Sequence, residues 1–194
     1  QSARFISLRG IAIDPIEGKY ALVVQYNYPY ASVRRIDLSN FSVTTLAGGG
    51  TTSTDGPGVD GTGGNAVFHA LQGIAIDPTG TFALVNSQHY SDYQMRKIVI
   101  ASGVVTTIYT GTTSLWNVAI DPIAGAYFLT TTWYTDGFVM AWSMSSGEKV
   151  AEVGGLTYTR AVQIDPKGQF ALVGQAHGVI TPSVLRIETT ECSE

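Results

Sequence analysis

The sequence predicts an all-β protein of the β-propeller class, built of four-stranded antiparallel blades. Three observations carry this reading: a short motif returns four times, each copy opens a similarly spaced run of strand-like segments, and the composition suits sheets and turns. Gly (22) and Tyr (10) are plentiful, while charged residues make up only 13% of the 194 positions. Such a mix favours pleated strands and tight turns over solvated helices.

The motif is "GIAIDP" from Gly10 to Pro15, returning as "GIAIDP" (Gly73 to Pro78), "NVAIDP" (Asn117 to Pro122) and "AVQIDP" (Ala161 to Pro166). Its aspartates, Asp14, Asp77, Asp121 and Asp165, recur at intervals of 63, 44 and 44 residues, so the unit is 44 residues with one long insertion. Each motif reads as a first strand. A Gly-containing turn follows, and then an aromatic-led second strand beginning at Tyr20, Phe82, Tyr127 or Phe170. Third strands are expected at Val33 to Leu38, Met95 to Ile100, Val139 to Met144 and Val184 to Glu188, and fourth strands from Val43, Val105 and Val150. The blades therefore span about 10–48, 72–110, 115–155 and 160–188, with a linker at 49–71, all within one propeller portion covering 1–194. The last unit lacks a fourth strand, which gives about three and three-quarter blades.

The stretch "DGTGGNAVFHALQGIAIDPTG", followed by "FALV", "MRKI" and "GVVTTI", resembles the NHL-repeat family of propellers, whose linker reads D-G-x-G-x-x-A-x-F ahead of G-I-A-[IV]-D-x-x-G. The match is close over Gly10 to Ala47 and Asp60 to Ile108, and weaker over the third unit, where "VMAWSM" replaces a basic third strand. The resemblance implies a closed ring, commonly of six blades, of which this chain would be an incomplete part; a compact four-blade ring is the alternative. Some lyases similar to this family hold zinc with histidines from several blades.

Several site readings follow from the residues. Gly56, Gly58 and Gly61 spell G-x-G-x-x-G, yet no helix follows to meet a phosphate, so the glycines are read as a tight crossing between blades with Ala66 and Phe68 plugging the groove. Asp55 and Asp60 are minority calcium candidates. The repeated motif Asp is read as an acceptor for turn amides rather than as a ring of catalytic carboxylates. His89 and His177 fall at equivalent places after their second strands, where Asn27 and Tyr134 stand in the other blades, and are minority zinc candidates without a third ligand. His69 lies on the linker. The second-to-third-strand loops carry Tyr26, Asn27, Tyr28, Tyr30, Gln88, His89, Tyr90, Trp133, Tyr134 and His177, rigid rings with polar tips that suit a recognition surface.

The expected function is a non-enzymatic interaction or scaffold domain binding other protein chains or glycans, with a metal-dependent lyase or hydrolase on the same fold as the alternative. No cofactor is assigned. A net charge of −4 with scattered Lys and Arg excludes a phosphate-binding stripe, and with it nucleic acid. No apolar run approaches the roughly 20 residues of a membrane helix, so no membrane insertion is expected. The low charge and the triplet Asn40-Phe41-Ser42, an N-glycosylation acceptor, point to an extracellular or cell-surface protein, with a subunit of a surface or fibrous glycoprotein assembly as one form of it. Cys192, the single cysteine, is free to bridge only to another chain or segment.

Overall fold

Each copy of the motif opens an antiparallel sheet in the computed structural model, which describes residues 4–26, 30–50, 58–89, 92–134, 136–175 and 183–189. The chain forms two compact units, Gln1–Thr112 and Thr113–Glu194. In the first, β1 (Leu8–Ile13), β2 (Tyr20–Gln25), β3 (Ser32–Asp37) and β4 (Val43–Gly48) pair in chain order. The second sheet of that unit contains β5 (Gly61–Thr62), β6 (Ala70–Ile76), β7 (Phe82–His89), β8 (Asp92–Val99) and β9 (Val104–Gly111), ordered β5-β9-β8-β7-β6. The linker thus lends a fifth strand to the far edge of this sheet, which the sequence reading did not anticipate. The second unit holds β10 (Asn117–Ile120), β11 (Tyr127–Thr131), β12 (Gly137–Ser143) and β13 (Lys149–Leu156), then β14 (Thr159–Ile164), β15 (Phe170–Gln175) and β16 (Ser183–Glu188). The last three make a three-stranded sheet.

One Asp-closed hydrogen-bonding scheme, in turns of two lengths, starts all four sheets. The motif Asp amide donates to the carbonyl of the aromatic that opens the next strand, Asp14 to Tyr20, Asp77 to Phe82, Asp121 to Tyr127 and Asp165 to Phe170, at 2.9–3.0 Å. Its carboxylate accepts the amides between: Ile16 and Lys19 on Asp14, Thr79 and Phe82 on Asp77, Ile123 and Ala126 on Asp121, Lys167 and Phe170 on Asp165. The Asp closes a hairpin, as its spacing indicates.

The leading aromatic has a second task. In three sheets a cation of the third strand lies over its ring: Arg35 on Tyr20 (3.9 Å), Lys97 on Phe82 (4.1 Å) and Arg186 on Phe170 (4.1 Å). The third sheet has Ala141 at that register, and the neighbouring Trp142 instead stacks on Phe128 at 6.2 Å and donates to the Thr130 hydroxyl.

A sheet of this kind has no core of its own, so the sheets bury their faces in pairs within each unit. In the first unit Tyr20, Leu22, Val24 and Val33 of one sheet meet Ala83, Val85, Ile98 and Val105 of the other. Ala66 and Phe68 of the linker are buried in the same core. Gly48 adopts φ +84° where the chain leaves β4, and a Cβ there would stand 2.5 Å from the Ala31 carbonyl oxygen.

Arg96 is buried directly behind this linker. It donates to Asp60 Oδ1 (2.8 Å), to the Val67 carbonyl (3.2 Å) and to Gln94 (3.2 Å). Asp60 also accepts the Thr107 amide and hydroxyl. Gly58 leaves room for the guanidinium, which a Cβ would strike. Burial pushes the Asp60 carboxyl up, but the Thr107 bonds and Arg96 outweigh it and hold the carboxyl below its ordinary value.

Removing the carboxylate in Asp60→Ala leaves Arg96 as a buried charge without its counter-ion, and chemical denaturation should show a loss of about 2 kcal/mol. That is below the roughly 3–5 kcal/mol for a wholly buried pair, because Asp60 is half-exposed. Adding Arg96→Met removes the stranded charge at similar volume, so the double variant should be more stable than Asp60→Ala alone; an additive further loss would contradict the ion-pair account.

In Asp14 and Asp165, burial likewise raises the carboxyl and the turn amides more than reverse it, so both sit below the ordinary value together with Asp60. A depressed folded-state pKa contributes stability above the unfolded value of about 3.9 that is lost as pH falls through the folded values. Stability measured from pH 7 downwards should hold to about pH 5 and fall below about pH 4; equal stability at pH 5 and pH 3 would contradict it.

Candidate functional site

In the second unit a knot of buried hydroxyls fixes the loop between β11 and β12 to the start of β14. The Thr159 hydroxyl donates to the Thr132 carbonyl (2.7 Å) and accepts the Thr132 amide (3.2 Å). The Thr132 hydroxyl accepts the Phe138 amide (2.8 Å). Both threonines are fully buried, so these bonds replace water that cannot reach them. The Tyr158 amide extends the knot by donating to the Tyr134 carbonyl at 2.9 Å.

This frame presents aromatic rings at one end of the sheet. Trp133 follows Thr132 and is half-buried; Trp116, whose amide donates to the Thr131 carbonyl, stacks on it with ring centres 4.7 Å apart. Tyr158 tilts against Trp133 with ring centres 5.1 Å apart. The guanidinium of exposed Arg160 lies over Trp133 at 3.6 Å and over Trp116 at 5.7 Å. No ion pair joins Arg160 to an acidic residue among the described residues, and its guanidinium carbon stands over the indole face. Tyr134, 48% exposed, stands at the rim.

Arranged this way, the cluster can offer flat apolar area at little entropic cost, plus directional donors from Arg160. Pre-stacked rings lose little freedom when a partner covers them. Sequence reading found Trp133 and Tyr134 from their loop, but not Trp116, Tyr158 or Arg160. Those three come from a strand approach, a crossover and a β14 position, outside the second-to-third-strand loops whose composition marks a recognition surface.

The other candidates are distributed as follows. In the first unit, Tyr26 lies under the Arg9 guanidinium at 5.0 Å and donates its amide to Ser7, while Tyr30 is exposed. Gln88 and His89 are the last residues of β7 rather than loop residues, and the ring of His89 sits 4.4 Å from that of His69. The ladder explains this contact: Ala70 pairs with Gln88, so the preceding linker residue faces the following strand residue. Asp60 serves Arg96 and Thr107, as described above. Asn27, Tyr28, Tyr90, His177, Asp55 and Cys192 lie outside the described residues. Asn40 occupies the exposed turn between β3 and β4, where its side-chain oxygen accepts the Ser42 amide at 2.8 Å, and Phe41 is 74% exposed. Among the described residues no helix is long and apolar enough to cross a membrane.

No protein-family model and no curated protein matches the chain. Solved structures do. A chain of a nidogen/laminin complex is similar with TM-score 0.71 and 12% identity, over 96% of this chain and 62% of that one. TolB from Acinetobacter baumannii is similar with TM-score 0.70 and 11% identity, over 95% and 41%. Hydrazine synthase from Kuenenia stuttgartiensis is similar with TM-score 0.59 and 16% identity, over 98% and 65%. The chain thus spans less than two thirds of the length of each. At these identities the likeness concerns the fold, and together with the four blade-like sheets it establishes a β-propeller fold.

Proposed function

We propose that this chain is a non-enzymatic interaction module of NHL-like type that binds another protein through the Trp133 platform, with no metal or cofactor assigned. The observation that carries the reading is the Arg160 guanidinium 3.6 Å over Trp133, beside Trp116 and Tyr158, with exposed Tyr134 next to Trp133 in the chain. Trp, Tyr and Arg are the residue types that dominate binding energy at protein interfaces, and they do so when clustered and pre-ordered. One of the similar folds was solved within a nidogen/laminin complex, which is consistent with a propeller serving as a binding scaffold.

The same proposal places the protein at the cell surface or outside the cell, as a glycoprotein carrying sugar on Asn40. The turn that holds Asn40 is exposed and lies between paired strands, so a glycan there would leave the sheet faces untouched.

Two experiments test these statements. Immobilised wild-type and Trp133→Ala chains, each verified as folded by circular dichroism, should be compared for capture of secreted proteins from the cells that make them. A specific partner retained by the wild type should fall by about tenfold or more with the variant, as for an interface anchor; equal capture by both would overturn the assignment. Protein expressed through a secretory pathway should lose mass on N-glycosidase treatment, and Ser42→Ala should abolish that loss. An unchanged mass would remove Asn40 from the proposal.

A further inference from the structure

Cations lie over aromatic rings at several places in this chain, and three of them also answer to polar groups of their own fold. Arg186, over Phe170, is paired with Glu188 at 3.0 Å. Arg96, over Phe68, is paired with Asp60, and Arg34, over Phe5, donates to Gln25 and to the Thr44 carbonyl. Arg160 differs from these three. It is exposed, its guanidinium stands 3.6 Å from the centre of Trp133 and 5.7 Å from that of Trp116, and among the described residues it makes neither a side-chain hydrogen bond nor an ion pair.

The placement recurs in the first unit. Arg160 stands five residues before the motif Asp165 and Arg9 five before Asp14, while Trp133 stands six after the leading Tyr127 and Tyr26 six after Tyr20. Arg9 lies over Tyr26 at 5.0 Å within one sheet, whereas Arg160 reaches its ring from the neighbouring sheet and finds it doubled by Trp116.

A ligand that binds by laying a flat ring on an indole needs an open face, and the guanidinium takes a face of Trp133. The guanidinium gives up none of its N–H groups in return, because attraction to the ring uses its charge and not its donors. Its donors form a fixed fork that matches a carboxylate, and freedom already lost in the free protein is not lost again on binding. Rings beside the cation also displace water, which strengthens a charge-assisted hydrogen bond made there.

In an inference that rests on the reading of the Trp133 cluster as a binding surface, we propose that Arg160 determines its specificity and that the partner meets it with a carboxylate, the side chain of an Asp or Glu in an exposed segment of the bound protein. The carboxylate accepts two N–H groups of the guanidinium side by side. An amide in its place keeps the shape, loses the charge and binds more weakly.

The test uses a phage-displayed library of random heptapeptides, selected in parallel on the wild-type chain, Trp133→Ala and Arg160→Gln, each verified as folded by circular dichroism. Sequences enriched on the wild type and lost on Trp133→Ala should carry Asp or Glu in excess of the unselected library. A synthetic peptide of the leading sequence should bind Arg160→Gln about tenfold more weakly, and a version with its acid replaced by the amide should bind the wild type about tenfold more weakly. Combining the two changes should cost little more than either alone. Peptides that need Trp133 yet carry no excess of acid, or that bind Arg160→Gln as well as the wild type, would overturn the carboxylate and leave the platform in place. A selection with no sequence dependent on Trp133 would overturn both.

Discussion

A four-stranded antiparallel sheet with apolar side chains on both faces cannot be stable alone, and the rest of this structure depends on that constraint. Every blade-like sheet must meet another, and the chain meets the requirement pairwise: β1–β4 against β6–β9 in one unit, β10–β13 against β14–β16 in the other. The need for a second surface explains why the long insertion is not a free loop. Its Ala66 and Phe68 are buried between sheets, and its Asp60 reaches back to Arg96, which the packing has removed from water. The motif Asp and the leading aromatic, joined in three of the four sheets by the third-strand cation, are the local devices that fix each sheet's register, so that its faces match those of its neighbour.

Much of this was legible because it is periodic. The fourfold Asp, with an aromatic five or six residues later, marks the hairpin whose amides the carboxylate accepts, and the third-strand bases fall where a cation can lie over that aromatic. The third sheet's departure was also visible, as "VMAWSM" in place of a basic strand, although its consequence was not. Losing the cation at Ala141 leaves space beside Ile187 that no single sequence window displays. The β5 strand was hidden for a related reason: two residues, Gly61 and Thr62, carry no alternation from which to read a strand.

The candidate site was legible only by halves. Trp133 and Tyr134 stand in a loop whose composition draws notice, whereas Trp116, Tyr158 and Arg160 are separated from it by tens of residues and are joined by hydroxyl bonds among Thr132, Thr159 and Phe138. Pattern reading registers hydrophobic period and turn chemistry; it does not register buried threonines that tie two crossings together. His69 and His89 are a similar case, since their contact follows from the pairing of Ala70 with Gln88, a fact of register that only the folded ladder supplies. The result is a rigid aromatic surface on one end of the second unit, held by a polar frame that excludes water.

Site-specific photo-crosslinking tests the central claim most directly, because it reports where a bound partner lies rather than whether one binds. A photoreactive residue at position 134, on the rim of the Trp133 platform, is compared with one at position 123 in the turn between β10 and β11, at the other end of the same sheet, where Ile123 is 64% exposed. The account predicts a covalent adduct with the partner from position 134 and none from position 123. An adduct from position 123 with none from position 134 would contradict it.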